Sequence, residues 1–398
     1  MSVSYWQKNK SPGHLNVDVV IIGAGLSGIS DAYWLNKLAP YLKIMVVDKG
    51  AVGSGASGRN AGFITCGSAD HFSNMTSSYG EKKATEIWKF TEDNHKLLIK
   101  ELGYNILLQE CEYKQQGSWT LAASEHEADT IKNAVAKLKE KNVEVYWKQE
   151  YEIEERFRNN ELFSPCVTGF HGGAHYMDDA EVNPIKLIEV MKRKMCNTVK
   201  IVTYEEVHEI TEYRGRLQVN TNNLLIETDS VVLATNAWSS QLFSYFEDKI
   251  FPTRGQIIVT EPVDMFLEPC YCSFVLDYFR QLKDGSVLIG GFRNTDVEKE
   301  VGFSDEINPQ IHEKLQDFLN KHFPILRNVP IKHRWAGVMG FSKDGYPMVG
   351  SLPEDPRIFF TGGFTGHGLG FTFNIGKTLA ELMVNGKDPG IFGARRFN

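Results

Sequence analysis

Residues 17–28 read Val17-Asp18-Val19-Val20-Ile21-Ile22-Gly23-Ala24-Gly25-Leu26-Ser27-Gly28, and this stretch decides the fold. The apolar run 17–22 predicts a short buried strand. It meets G-x-G-x-x-G, after which a helical pattern runs from Ser27 to about Leu38. The next apolar run, 44–47, ends at Asp48. Strand, glycine turn, helix and strand make a βαβ unit whose parallel strands are buried on both faces. In such a unit Gly23 permits the tight turn, Gly25 lets a pyrophosphate approach the backbone, and Gly28 lets helix pack on strand. The helix start offers unpaired N–H groups and partial positive charge to a diphosphate. Asp48, 20 residues after Gly28 and followed by Lys49, is placed to accept hydrogen bonds from a ribose. A dinucleotide-binding Rossmann unit is therefore expected.

Outward from this unit, amphipathic helices are predicted over 81–102 and 125–141, the second opened by a Ser124/Glu127 capping box. Asn183-Pro184 predicts an N-cap and first-turn proline for a helix to about Cys196. Strands are expected at 199–204, 217–221, 224–233, 256–260 and 286–292, with a further buried strand near 358. A helix is predicted from Ser304 to Phe323, and a last one from near Gly370 to about Val384, stopped by Asn385-Gly386. Buried parallel-type strands thus lie at the start, near 230 and near 358. This predicts an α/β fold, a Rossmann-type cofactor domain with an inserted α+β substrate domain of mixed or antiparallel sheet. The expected division is 1–85, 165–237 and 330–398 for the cofactor domain, and 86–164 and 238–329 for the substrate domain.

Composition bounds the function. The 398 residues are 42% hydrophobic and 23% charged, with net charge −7. A general nucleic-acid binder would show a basic face, and Lys192-Arg193-Lys194 reads as a solvated helix face. No apolar run approaches bilayer length, and the N-terminus lacks a secretion signal's apolar core, so a cytoplasmic location is expected. The six cysteines include no C-x-x-C and are read as free thiols. Neither Cys270-x-Cys272 nor His171 with His175 finds further ligands at metal-site spacing, so no metal is expected.

The segment Gly53-Ser54-Gly55-Ala56-Ser57-Gly58-Arg59-Asn60-Ala61-Gly62 resembles the S-G-R-N-x-G stretch of the D-amino-acid-oxidase-like family, which includes glycine, sarcosine and γ-glutamylputrescine oxidases. Four further segments fit that resemblance. They are Val207 in Tyr204-Glu205-Glu206-Val207, residues 231–238 (VVLATNAW), Pro252-Thr253-Arg254-Gly255-Gln256, and the C-terminal run from Trp335-Ala336-Gly337-Val338-Met339-Gly340 through Asp344-Gly345-Tyr346-Pro347 to Gly366-His367-Gly368-Leu369-Gly370. Ser4-Tyr5-Trp6 resembles the opening of the γ-glutamylputrescine oxidase branch. The resemblance implies non-covalent FAD, held by Gly23, Gly25, Leu26, Ser27, Gly28, Asp48, Lys49, Gly55, Ser57, Gly58, Arg59, Asn60, Val207, Thr235, Asn236, Trp238, Gly340 and Gly366 to Gly370. In this family the G-H-G turn sets a helix N-terminus near the flavin pyrimidine, stabilising the negative charge of the reduced ring.

Departures from the family narrow the substrate. Glycine-oxidase-like relatives place an arginine where this chain has Met339, and sarcosine-oxidase-like ones a lysine where it has Gly370. An α-carboxylate unpaired in an apolar pocket is costly, so an amine without a carboxylate on its reacting carbon is favoured over an amino acid. Arg280, Arg293 or Arg334 remain as alternative cations. The cysteine that tethers FAD in sarcosine-type relatives is replaced by Gly337, and 286–292 (SVLIGGF) lacks their oxygen-activating lysine. The implied reaction is hydride transfer from the amine's α-C–H to flavin N5, with hydrolysis of the resulting imine and reoxidation by oxygen or another acceptor. His367, Trp335 and Tyr278 are the candidate catalytic side chains, Trp335 and Tyr278 forming with Phe364 an aromatic wall for a cationic amine. The competing readings are an α-amino-acid oxidase or dehydrogenase with a relocated arginine, an NAD(P)H-linked reductase, and a non-catalytic flavin-binding subunit.

Overall fold

The computed structural model describes residues 13–158, 165–273 and 276–397; Ser4-Tyr5-Trp6 lies outside them. The apolar run at the start becomes the strand Val19–Ile22, every residue of it buried. It sits in a six-stranded sheet in the order Val199–Thr203, Ile44–Asp48, Val19–Ile22, Ser230–Leu233, Ile358–Gly362, Met348–Ser351. The first five strands run parallel and the last is antiparallel to its neighbour. This is the expected Rossmann-type layer, its strands gathered from chain segments far apart.

The helix Leu26–Leu38 follows the glycine turn and is buried over almost its whole length. A helix buried all round must pack on two sides. One side is the sheet. The other is the C-terminal helix Gly368–Asn385, where Gly376 approaches so closely that an added Cβ would meet the Ser30 backbone at 2.8 Å. That C-terminal helix also binds Glu81–Leu102. Asn94 Nδ2 donates to the Leu369 carbonyl at 3.0 Å, and its Oδ1 accepts from the Asn374 amide at 2.9 Å.

A second, eight-stranded sheet runs in the order Ile331–Ser342, Ile250–Thr260, Val287–Gly290, Asp277–Gln281, Cys270–Cys272, Ser118–Leu121, Gly173–Tyr176, Val145–Lys148. It is antiparallel except where Cys270–Cys272 meets Ser118–Leu121 in parallel. One face packs on the helix Pro309–His322 through Ile258, Phe279, Ile289, Ile311, Leu315 and Phe318. This is the mixed substrate-domain sheet anticipated from the sequence.

Sheet membership departs from the expected domain boundaries at three places. Ile331–Ser342 and Gly173–Tyr176 belong to the eight-stranded sheet, although 330–398 and 165–237 assign them to the cofactor side. The helix Glu81–Leu102 crosses the 85/86 boundary and packs on the C-terminal helix through Asn94. Long strands of alternating pattern do not declare which sheet they join, because pairing partners are set by tertiary structure.

Capping explains two boundaries that shift from their expected places. The helix expected from Ser304 starts only at Pro309, because Asn308 precedes a proline, is extended (φ −96°, ψ 108°) and caps the Gln310 amide. The run 224–233 is two strands. Leu224–Thr228 alternates and joins a four-stranded sheet with Arg216–Thr221, whereas Ser230–Leu233 enters the parallel sheet. The Thr228 hydroxyl, donating to the Asp18 and Ser230 carbonyls at 3.0 Å, marks the break. Ser124 and Asn183 cap their helices as expected, and the Glu127 carboxylate reaches back to the Ala123 amide at 2.7 Å.

Candidate functional site

A cavity of about 1100 Å³ opens between the two sheets. Its nucleotide-like end is built mostly from backbone. The Gly23 turn has φ +109°, and an added Cβ would meet the Ala234 carbonyl at 2.6 Å. Asp48 ends its strand with both carboxylate oxygens engaged, Oδ2 accepting from the Ala24 amide and Oδ1 from the Gly50 amide, each at 2.7 Å. The Ser57 hydroxyl accepts from the Leu26 amide at 2.7 Å, tying the 53–62 loop to the helix start. Asn60 folds onto its own loop, donating to the Ala56 and Ser57 carbonyls and accepting from the Gly62 amide. Lys49 lies over the Trp238 ring, 5.0 Å from its centroid, and Val207 begins a strand beside them.

The opposite end is lined by side chains from many elements. Tyr278, Arg293, Met339, Phe341, Phe364 and His367 all face the cavity. The C-terminal helix starts there, His367 standing at its N-cap position. Its first turn carries amides without intrahelical acceptors. Gly370 is close-packed, since a Cβ would meet the Thr65 carbonyl at 2.6 Å. Asn236 ties the middle of the chain to its C-terminal part: its Oδ1 accepts from the Gly363 amide at 2.9 Å, and its side chain abuts Gly340.

Most residues singled out from the sequence meet in this one cavity. Gly23, Gly25, Leu26, Ser27, Asp48, Lys49, Gly55, Ser57, Arg59, Asn60, Val207, Thr235, Asn236, Trp238, Gly340 and Gly366 to Gly370 line it, as do Tyr278 and His367. Three do not. Gly28 and Gly58 lie beneath the lining, where an added Cβ would meet the Gly23 carbonyl at 1.8 Å and the Gly53 carbonyl at 2.5 Å. They act through packing. Trp335 is also outside the lining. The Arg59 side chain lies across Gly337, and the Trp335 Nε1–H donates to the Arg59 carbonyl at 3.0 Å. Trp335 thus supports Arg59 and packs, as Tyr278 does, on the cluster of Phe63, Ile257 and Tyr271, while Tyr278 and Phe364 are themselves in the lining.

Sequence reasoning missed His71. It lies in the helix Ala69–Tyr79 and stacks on His367, ring centroids 4.8 Å apart and planes 18° apart. Burial pushes both imidazoles down, His71 to about 4 and His367 to about 3, with His71 and Arg293 adding to the depression of His367. Both rings are neutral at neutral pH. Only the Ser68 cap announces this helix in sequence, and nothing in its spacing points His71 at a residue almost three hundred positions away.

The residues present fit a dinucleotide. Two helix starts open onto one cavity, and glycines occupy the positions where side chains would close it. Among the described residues no cysteine lines it, and no group of three or more His, Cys, Asp or Glu has metal-binding geometry. Among the described residues no helix is long and apolar enough to cross a membrane.

Fold and cavity together are those of a Rossmann-type, dinucleotide-binding protein. The sequence profile of the FAD dependent oxidoreductase family, DAO, matches residues 18–382, and the chain belongs to that family of FAD-dependent enzymes. A probable oxidoreductase OrdL of Haemophilus influenzae is 24% identical, over 96% of this chain and 88% of its own length. Gamma-glutamylputrescine oxidoreductase of Escherichia coli is also 24% identical, over 93% and 84%. The crystal structure of glycine oxidase from Bacillus cereus superposes with a TM-score of 0.78 at 19% identity, covering 94% of this chain and 97% of that one.

Proposed function

We propose that the cavity holds FAD non-covalently and that the enzyme oxidises the C–N bond of a small amine. The observation that carries this reading is the pair of helix starts, at Leu26 and Gly368, opening into one cavity. At about 1100 Å³ it exceeds ordinary small-molecule sites, roughly 300–1,000 Å³. The Gly23–Gly28 turn, Asp48, Lys49, Val207 and Trp238 hold the nucleotide, while Gly366 to Gly370 face the ring system. FAD, when bound, supplies a two-electron acceptor beside the substrate C–H.

The protein's own part is positioning and charge. Helix amides at Gly368 and Leu369 present partial positive charge where the reduced cofactor is negative. Tyr278, Met339, Phe341 and Phe364 enclose the substrate and exclude water. The neutral His71–His367 pair adds no positive charge against a cationic amine. Met339 and Gly370, where relatives carry cations, favour an amine of the γ-glutamylputrescine type, whose reacting carbon bears no carboxylate, over an α-amino acid.

The test is anaerobic mixing of the purified protein with polyamines, γ-glutamylated amines, N-methyl amino acids and D-amino acids. Bleaching of the oxidised-flavin absorbance by an amine is the expected result, and readmitted air then distinguishes oxygen from another acceptor. A folded, colourless protein that takes up no FAD would overturn the reading.

A further inference from the structure

Beneath the glycine turn lies a line of three buried polar side chains. Ser27 and Asp31 are one turn apart on the helix Leu26–Leu38 and share a face. That face meets Thr361 on the strand Ile358–Gly362. The Thr361 hydroxyl oxygen lies 2.8 Å from Ser27 Oγ on one side and 2.8 Å from Asp31 Oδ2 on the other. Of the three, only Ser27 lines the cavity.

Asp31 is wholly shielded from solvent, and its Oδ1 has no protein partner among the described residues. The elements packed around its helix bring no ion to it. The sheet presents Thr361. The helix Pro184–Arg193 presents Met191, its sulfur 3.9 Å from Ser30 Oγ. The C-terminal helix presents Gly376 to Ser30 and Lys377 to the Trp34 ring. On its own helix, Tyr33 and Lys37 are both engaged with Glu101 of the helix Glu81–Leu102. Burial pushes the Asp31 carboxyl up to about 8, against the pull of the Thr361 hydrogen bond. An ionised carboxylate here would hold a bare oxygen away from water, so the neutral acid is the form the site keeps at neutral pH.

A hydroxyl has one hydrogen to give. An ionised Asp31 can only accept. Thr361 then donates to it, Ser27 donates to Thr361, and Ser27 turns lone pairs toward the cavity. A protonated Asp31 instead donates to Thr361, Thr361 donates to Ser27, and the Ser27 hydrogen is left for a ligand.

We propose that Asp31 is a positioning residue for the cofactor: as the neutral acid it aligns Thr361 and Ser27 so that the Ser27 hydroxyl donates to the anionic diphosphate of FAD. The inference rests on the cofactor reading, and its test separates the two. Ionisation of Asp31 reverses the chain and buries a like charge beneath the diphosphate, so FAD binding and protonation of Asp31 favour each other.

The test is the FAD dissociation constant of the intact chain from pH 6 to 9, read from the fluorescence of flavin released on dilution. The diphosphate stays ionised across this range, and His71 and His367 stay neutral. Wild-type affinity should be flat up to about pH 7 and weaken by roughly 5- to 10-fold between pH 7 and 9. Asp31→Asn keeps a donor to Thr361 and cannot ionise, so at pH 9 it should bind FAD as tightly as the wild type does at pH 7. Ser27→Ala should bind more weakly than the wild type at pH 7 and lose most of the pH dependence. Wild-type affinity unchanged between pH 7 and 9, or a pH dependence that survives in Asp31→Asn or in full in Ser27→Ala, overturns the proposal and leaves the cofactor reading standing. A folded protein that binds no FAD at any pH defeats both.

Discussion

The two ends of the cavity are built on opposite principles. The proposed nucleotide end is shaped by backbone and by the absence of side chains: Gly23, Gly25 and Gly55 line it, Gly28 packs beneath it, and Asp48 is fixed by two amides. The proposed substrate end is shaped by side chains from separate elements, among them His71, Tyr278, Arg293, Phe341 and His367. A backbone-built site has little room for substitution, because a Cβ at Gly23 or Gly28 meets a carbonyl and one at Gly25 meets the Ser57 hydroxyl. A side-chain-built site can be rewritten residue by residue while the fold stands. One scaffold can thus keep its cofactor and change its substrate.

The largest effect that would break this contrast is at Gly28. Gly28→Val places atoms within 1.8 Å of the Gly23 carbonyl and should cost more than about 3 kcal/mol, with flavin content falling to near zero. Thermal unfolding and absorbance check it; a stable yellow Gly28→Val protein would mean that the turn is not close-packed.

Asp31 gives the next effect. It is fully buried below the same turn, bonded by the Thr361 hydroxyl at 2.8 Å, and burial pushes its carboxyl up to about 8. The native state holds this proton while the unfolded chain, with a pKa near 3.8, releases it. Its contribution to stability is therefore complete below about pH 4 and is lost as pH rises toward 8. Asp31→Asn should match the wild type near pH 4 and become more stable above it by a growing margin, reaching several kcal/mol by pH 8. Parallel denaturant curves across that range would refute the assignment.

Asp48→Ala removes the acceptor for the Ala24 and Gly50 amides and the proposed ribose partner. FAD affinity should drop by ~10-fold or more, measured by flavin release on dilution.

The smallest effect is expected at the other end. Because His367 is already neutral, with a pKa of about 3, His367→Asn should leave the midpoint of any pH profile for flavin reduction between pH 5 and 8 unmoved. A displaced midpoint would show that the imidazole titrates in turnover.

The same contrast governs what the sequence discloses. The glycine turn and Asp48 are legible because consecutive residues carry their geometry, and even the distant Gly366 to Gly370 segment is recognisable by its local pattern. His71 is not, since its partner is His367, brought near only when Ala69–Tyr79 meets the N-cap of the C-terminal helix in the folded chain. Trp335 illustrates the reverse. It belongs to a recognisable motif, yet it is spent on the Arg59 carbonyl and on packing beside the lining, which only the folded chain discloses. Arg293 was one of three arginines that composition alone could not rank. Ion pairing of Arg280 and the exposed place of Arg334 separate them.

The strand order of the parallel sheet also bears on how the protein is made. Ser230–Leu233 emerges from the ribosome with Val19–Ile22 on one side, while its other neighbour, Ile358–Gly362, is still more than a hundred codons away. During that interval the growing polypeptide carries an open strand edge with unpaired backbone groups and apolar side chains at Val231, Val232 and Leu233, the kind that invites intermolecular pairing. Slow translation, or premature termination before residue 358, should therefore send this chain to chaperones and inclusion bodies, however stable the finished enzyme is.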